Sequence, residues 1–124
     1  MNRIEIEVLK PKEALEAFAD TWRAVQLPHG ERSGAPAVPR LAFGSLHELF
    51  SAITEKRLEL LRHVAAHERL NTRQLAQGLG RDYKNVHTDV ASLVELGLLE
   101  KDRRGGLSAP YDEIVIYTSV RDAA

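Results

Sequence analysis

The chain contains no cysteine, which excludes disulfides, thiolate metal sites and cysteine nucleophiles together. It also has no run of about 18 apolar residues, the length at which a membrane-spanning helix becomes credible. The opening stretch MNRIEIEVLKPKEALEAF alternates charged and apolar residues and lacks a signal-peptide core. A cytoplasmic protein with no membrane partner is expected. An excess of charge is missing too. The formal net charge is −1, so bulk electrostatics gives no argument for a nucleic-acid partner.

The signatures of catalysis are equally scarce. GLGRD at residues 78–82 falls between two predicted helices rather than after a strand, so it is not a phosphate-cradling loop. Ser45, Ser92 and Ser108 lack the strand–turn–helix setting of a nucleophile elbow. Asp112 and Glu113 read as a strand boundary rather than an acid/base pair. His63 and His67 stand four apart, a spacing at which two imidazoles can share a metal. HVAAH has no intervening glutamate, however, and no third ligand is evident. No enzyme activity, metal or cofactor is expected.

What the chain does have is order along its length. RIEIEV (Arg3 to Val8) alternates with period two, a half-buried strand with Ile4, Ile6 and Val8 on one face. Lys12 to Val25 carries Leu15, Phe18, Trp22 and Val25 at helical spacing. LPHGERSGAPAVPR (Leu27 to Arg40) holds three prolines and two glycines and reads as a loop. Residues 1–26 are therefore expected to form a strand–helix arm, 27–42 a linker, and 43–124 the main domain.

That domain opens with Ser45 and Glu48 in a capping-box pattern, with Leu46, Leu49, Phe50 and Ile53 on one face. A helix over Glu55 to His67 follows, its apolar face Leu58, Leu61, Val64 and Ala65. Asn71 and Gln74 open a short helix that stops at Gly78 or Gly80. Asp82 caps the next one, with Val86, Val90, Leu93 and Val94 inward and Gly97 as its stop. Leu98 to Lys101 reads as a strand, DRRGG as a tight loop, Leu107 onward as the returning strand, and EIVIYTSV (Glu113 to Val120) as a further strand. The fold class is mainly α (α+β), in the element order of a winged helix-turn-helix with a C-terminal strand.

With Val86 and Val90 pointing inward, Tyr83, Lys84, Asn85, His87, Thr88 and Ser92 are left outward. Asn can pair bidentately with adenine, Lys with guanine, and Thr can touch a thymine methyl. Arg81, Tyr83 and Arg73 stand near enough to the helix start to reach phosphates. Arg103 and Arg104 sit at a glycine-flanked hairpin tip, as a wing reaching the minor groove would place them. Asp89 is the discordant residue, because a carboxylate facing DNA repels phosphate; pairing with Arg81 or Lys84, or orienting His87, would resolve it. The charge distribution leans the same way, with ten Lys and Arg against eight Asp and Glu over residues 55–105.

LGRDYKNVHTDVASLVELGLLEK, with FGSLHELFSAITEKRLELLRHV before it and APYDEIVI after it, resembles the small prokaryotic MarR/ArsR-like predicted transcriptional regulators. That group includes antitoxins paired with TumE-family toxins. The similarity runs from Phe43 to Ile116, and the IEIEV strand with the helix after it looks like the group's N-terminal extension. The resemblance implies a dimeric, sequence-specific binder of double-stranded DNA that represses its own operon. For some members it also implies neutralisation of a cognate toxin. It carries over onto Arg81, Tyr83, Lys84, Asn85, His87 and Thr88; the wing differs in length among relatives.

A homodimer or partner interface is expected to use Ile4, Ile6, Leu15, Phe18, Trp22, Ile114 and Ile116, because strands 3–8 and 113–120 either pair with each other or leave edges that invite association. A protein-interaction module that masks a toxin with little DNA binding of its own is the competing reading.

Overall fold

In a computed structural model, residues 2–9 and 38–120 are described, and they form an α+β fold. The elements are β1 (Arg3–Val8), β2 (Arg40–Phe43), α1 (Leu46–Ala52), α2 (Glu55–Ala66), α3 (Thr72–Leu79), α4 (Tyr83–Glu95), β3 (Glu100–Lys101), β4 (Leu107–Ser108) and β5 (Glu113–Tyr117). The helix expected over Lys12 to Val25, with Leu15, Phe18 and Trp22, lies outside the described residues. Among those described, no helix is long and apolar enough to cross a membrane.

The period-two pattern of RIEIEV becomes the centre of a three-stranded parallel sheet ordered β2-β1-β5. Register places Ile4 beside Ile114, and Ile6 beside both Ile116 and Leu41. Ile4 and Ile6 are buried in the same core as Leu49, Leu60, Val64, Leu75, Val86, Leu93 and Leu107. Strand β1 thus shares one hydrophobic core with the helices and the hairpin, although it was expected to belong to an arm. Residues 40–42, expected to lie in a linker, are strand: RLAF pairs in parallel with β1, placing Leu41 beside Ile6 and Phe43 beside Val8. Glu5, on the opposite face, meets Arg40 at 3.4 Å and accepts a hydrogen bond from the Tyr117 hydroxyl at 3.3 Å.

The helix ends follow their caps. Ser45 accepts from the Glu48 amide, but the Glu48 carboxylate accepts from the Gly44 amide instead of reaching back to Ser45, so the box is shifted by one residue. Asn71 and Gln74 complete both halves of theirs. Gly80, at φ +64°, ends α3 in the left-handed region and lets the Arg81 amide donate back to the Ala76 carbonyl at 3.0 Å. An L side chain there costs about 1–2 kcal/mol. Gly80→Ala should therefore lower the free energy of unfolding by that amount, seen as a lower urea midpoint with an unchanged m-value; no shift would show that the turn relaxes freely.

Four expectations change. Only Glu100 and Lys101 of the Leu98–Lys101 segment are strand, because the Leu98 and Leu99 amides both donate to the Leu93 carbonyl, closing α4, while their side chains fill the core. On α1, Leu49 and Ile53 are buried but Leu46 and Phe50 are exposed, Phe50 by 64 %. Seven residues make two turns, and the core takes only one narrow stripe of them. On α2 the inward stripe runs through Leu60, Leu61 and Val64, with Leu58 half-buried and Ala65 exposed. That rotation brings Arg57 to the inward side. The last strand stops at Tyr117, short of Val120.

Candidate functional site

The residues singled out by type converge on α4 and its approaches. Asp82 caps the helix through the Asn85 amide at 3.3 Å. From there Val86, Val90 and Leu93 alternate inward at spacings of four and three, while Val94 is left exposed. The same phase puts Tyr83, Lys84, Asn85, His87 and Thr88 on the exposed side.

Along one edge of that side, Arg73 of α3 lies over the Tyr83 ring at 5.2 Å, and Tyr83 leans on His87 with ring centroids 5.8 Å apart. This stack ties α3 to the first turn of α4 and makes a cation–aromatic ridge, a contact worth about 0.5–1 kcal/mol when exposed. Beside the ridge stand Lys84 and Asn85, whose side-chain nitrogens have no partner among the described residues. Thr88 is less free. Its hydroxyl donates to the Lys84 carbonyl at 3.1 Å, leaving an acceptor oxygen and a methyl to meet a ligand.

Along the other edge of that side lies a cleft of about 480 Å³, lined by Thr54, Glu55, Lys56 and Arg57 of the α2 start and by Arg81, Asn85, Thr88 and Asp89. Its floor is an ion cluster. Asp89 takes Arg57 Nε on Oδ1 at 3.1 Å and Arg81 Nη2 on Oδ2 at 2.7 Å. Asp89 is thus neutralised by Arg81, as one sequence-based option had it, and by a second arginine that sequence reasoning missed. Arg81 itself is not a free phosphate contact: its guanidinium is largely covered against Asp89, and its buried Nη1 has no partner among the described residues. The one signal that points to Arg57 is its position N-terminal to Leu60, Leu61 and Val64, three, four and seven residues before them on one stripe.

Arg103 and Arg104 are exposed at the tip of the β3–β4 hairpin. The tip is organised by Asp102, whose Oδ1 accepts from the Arg104 and Gly106 amides, each at 2.8 Å. Those bonds, Gly106's first and then Arg104's, hold the Asp102 carboxyl below its ordinary value. The hairpin is fastened to the α2–α3 turn by Arg69 donating to the Leu107 carbonyl at 2.8 Å and Leu107 donating to the Leu70 carbonyl at 2.9 Å. Since the folded carboxyl titrates below the unfolded one, the tip is fully held above the ordinary aspartate range. The hold is lost as pH falls through the lowered value. Amide signals of Arg104 and Gly106 followed by NMR should move together in that acid window; a change beginning above it would contradict the assignment.

Ile4 and Ile6 are buried within the chain, Ile114 is half-buried on it, and Ile116 is 43 % exposed. Strands β1 and β5 pair with each other inside one chain. His63 and His67 stack on each other with centroids 4.5 Å apart; among the described residues no group of three His, Cys, Asp or Glu could hold a metal ion.

The molecule is therefore an α+β domain that displays a capped, polar-faced helix beside a small antiparallel hairpin. A family model described as HVO_A0114 matches residues 52–116, more than half of the chain, and the chain belongs to that family. Comparison with curated proteins and with solved structures gave no match.

Proposed function

We propose that this protein is a sequence-specific DNA-binding transcriptional regulator of the winged helix-turn-helix kind, a dimeric, cytoplasmic repressor of its own operon. One observation carries the reading. On α4 the inward stripe is fully occupied by Val86, Val90 and Leu93, while the outward side offers Tyr83, Lys84, Asn85, His87 and Thr88 from the first two turns. Those are the turns that enter a major groove when a second helix reads DNA.

Asn85 and Lys84 have the donors and acceptors for base edges. Arg73 and Tyr83 suit phosphates, with His87 beside them, and Arg103 and Arg104 suit the minor groove or backbone. Arg81 leaves this set, because its guanidinium is committed to Asp89. Two protomers would place their α4 helices in successive major grooves, about 34–36 Å apart. The likeness to MarR/ArsR-like regulators, some of them antitoxins, supports the same reading.

The test is fluorescence anisotropy of the purified chain on its own upstream DNA, over a salt series and against scrambled competitor. Binding that survives competitor and weakens steeply with salt is expected. No binding at low salt would overturn the proposal. A second reading, a module that neutralises a toxin protein, draws on the exposure of Leu46 and Phe50, one turn apart on α1. Co-purification with the product of the adjoining gene, abolished by Phe50→Asp, is its expected result.

A further inference from the structure

We propose that Arg57 is the positioning residue of the α4 face: through Asp89 it fixes the angle at which Lys84, Asn85 and Thr88 are presented, and it withdraws the Asp89 charge from that face. The functional consequence rests on the DNA-binding reading; the mechanical claim concerns α4 alone.

The guanidinium of Arg57 spends each nitrogen on a different group. Nε donates to Asp89 at 3.1 Å, Nη2 to the Ser92 hydroxyl at 3.2 Å, and Nη1 to the Ala52 carbonyl at 2.9 Å. One planar fork thereby joins the end of α1, the first turn of α2 and the middle of α4. The bonds to Asp89 and Ser92 are three residues apart on α4, nearly one turn, so they oppose rotation of the helix about its axis as well as its translation. Arg81 closes the second Asp89 oxygen from the turn before α4. All three side chains are largely covered, with 15–18 % of their surface exposed, so the contacts are screened less than surface ion pairs.

Placement makes this more than fold stability. Asp89 follows Thr88 and lies one turn beyond Asn85, so a swinging carboxylate would stand where phosphate or base oxygens must come. With two cations on one anion the cluster keeps a surplus positive charge beneath the face. Lysine at 57 would keep that charge but could not span the three acceptors.

The full chain and its R57K and D89N variants decide the matter by amide hydrogen exchange and by DNA binding. In R57K, exchange of the α4 amides from Val86 to Val90 should rise about tenfold while the α3 amides hold. The ratio of upstream-DNA to scrambled-DNA affinity should fall about tenfold, with scrambled binding held or raised. D89N should show the same local rise with an added gain in scrambled binding, since a negative charge is gone. Unchanged α4 exchange in both variants overturns the proposal. So does a uniform rise over every helix, or loss of folding in both, because a purely structural arginine predicts those. If the parent chain ignores its upstream DNA, the regulator reading fails, and the exchange comparison still decides the positioning claim.

Discussion

Ile6→Ala should lower the free energy of unfolding by about 2–5 kcal/mol. Ile6 is fully buried on the central strand, flanked in register by Leu41 and Ile116 and packed into the core that holds the helices. Removing three carbons there loses their transfer energy and leaves a void that both neighbouring strands border, so collapse around it is hindered. Domains of this size are held by about 5–15 kcal/mol in all, which makes the loss a large share of the total. Urea unfolding should show one transition at a lower midpoint with an unchanged slope. The measurement also separates two architectures. Were β1 an appendage, as the proline-rich segment after it suggests, the helical transition would stay within about 0.5 kcal/mol of the parent. A shift that small would sink the shared-core account.

The contrast between arm and core shows which features could be read from the chain. Features set by neighbours in sequence were legible. Asn71 with Gln74 closes its capping box, Asp82 caps α4, and Gly80 and Gly97 adopt positive φ. Each depends on hydrogen bonds spanning only a few residues. The phase of α4 was legible as well, because Val86, Val90 and Leu93 are the strongest apolar signal on it.

Non-local choices were legible only as options. Pairing of the strand at 3–8 with the one beginning at 113 was one of them, but its parallel direction and the addition of β2 depend on register across the chain, which period-two alternation does not give. RLAF at 40–43 is short, follows a proline and has little alternation of its own. Leu98 and Leu99 have strand-like side chains, but their amides were needed to end α4. Arg57 escaped notice because charge is ordinarily read as outward; its inward position becomes reasonable only when Asp89, 32 residues later, is beside it. The same pairing accounts for Asp89, the residue that fitted the outward face least.

If α4 reads DNA as proposed, Asn85→Ala should relax sequence preference at one operator position by about 1–3 kcal/mol while leaving the fold intact. The side-chain amide is exposed and has no partner among the described residues, so truncation removes no internal bond. Only the Asn85 backbone amide serves the cap at Asp82, and alanine keeps it. Competition among operator variants, each changed at one base pair, should show discrimination collapsing at a single position by roughly five- to 150-fold and persisting elsewhere. The salt dependence should stay as in the parent, because no cation has been lost. Lys84→Ala provides the contrast. As a base contact it relaxes a different position; as a phosphate contact it weakens every sequence alike and lowers the salt slope by about one. If Asn85→Ala discriminates among all operator variants as the parent does, α4 does not read bases through that residue. A salt-slope change without any change in preference would assign the α4 face to the phosphate backbone and leave sequence reading to the hairpin arginines.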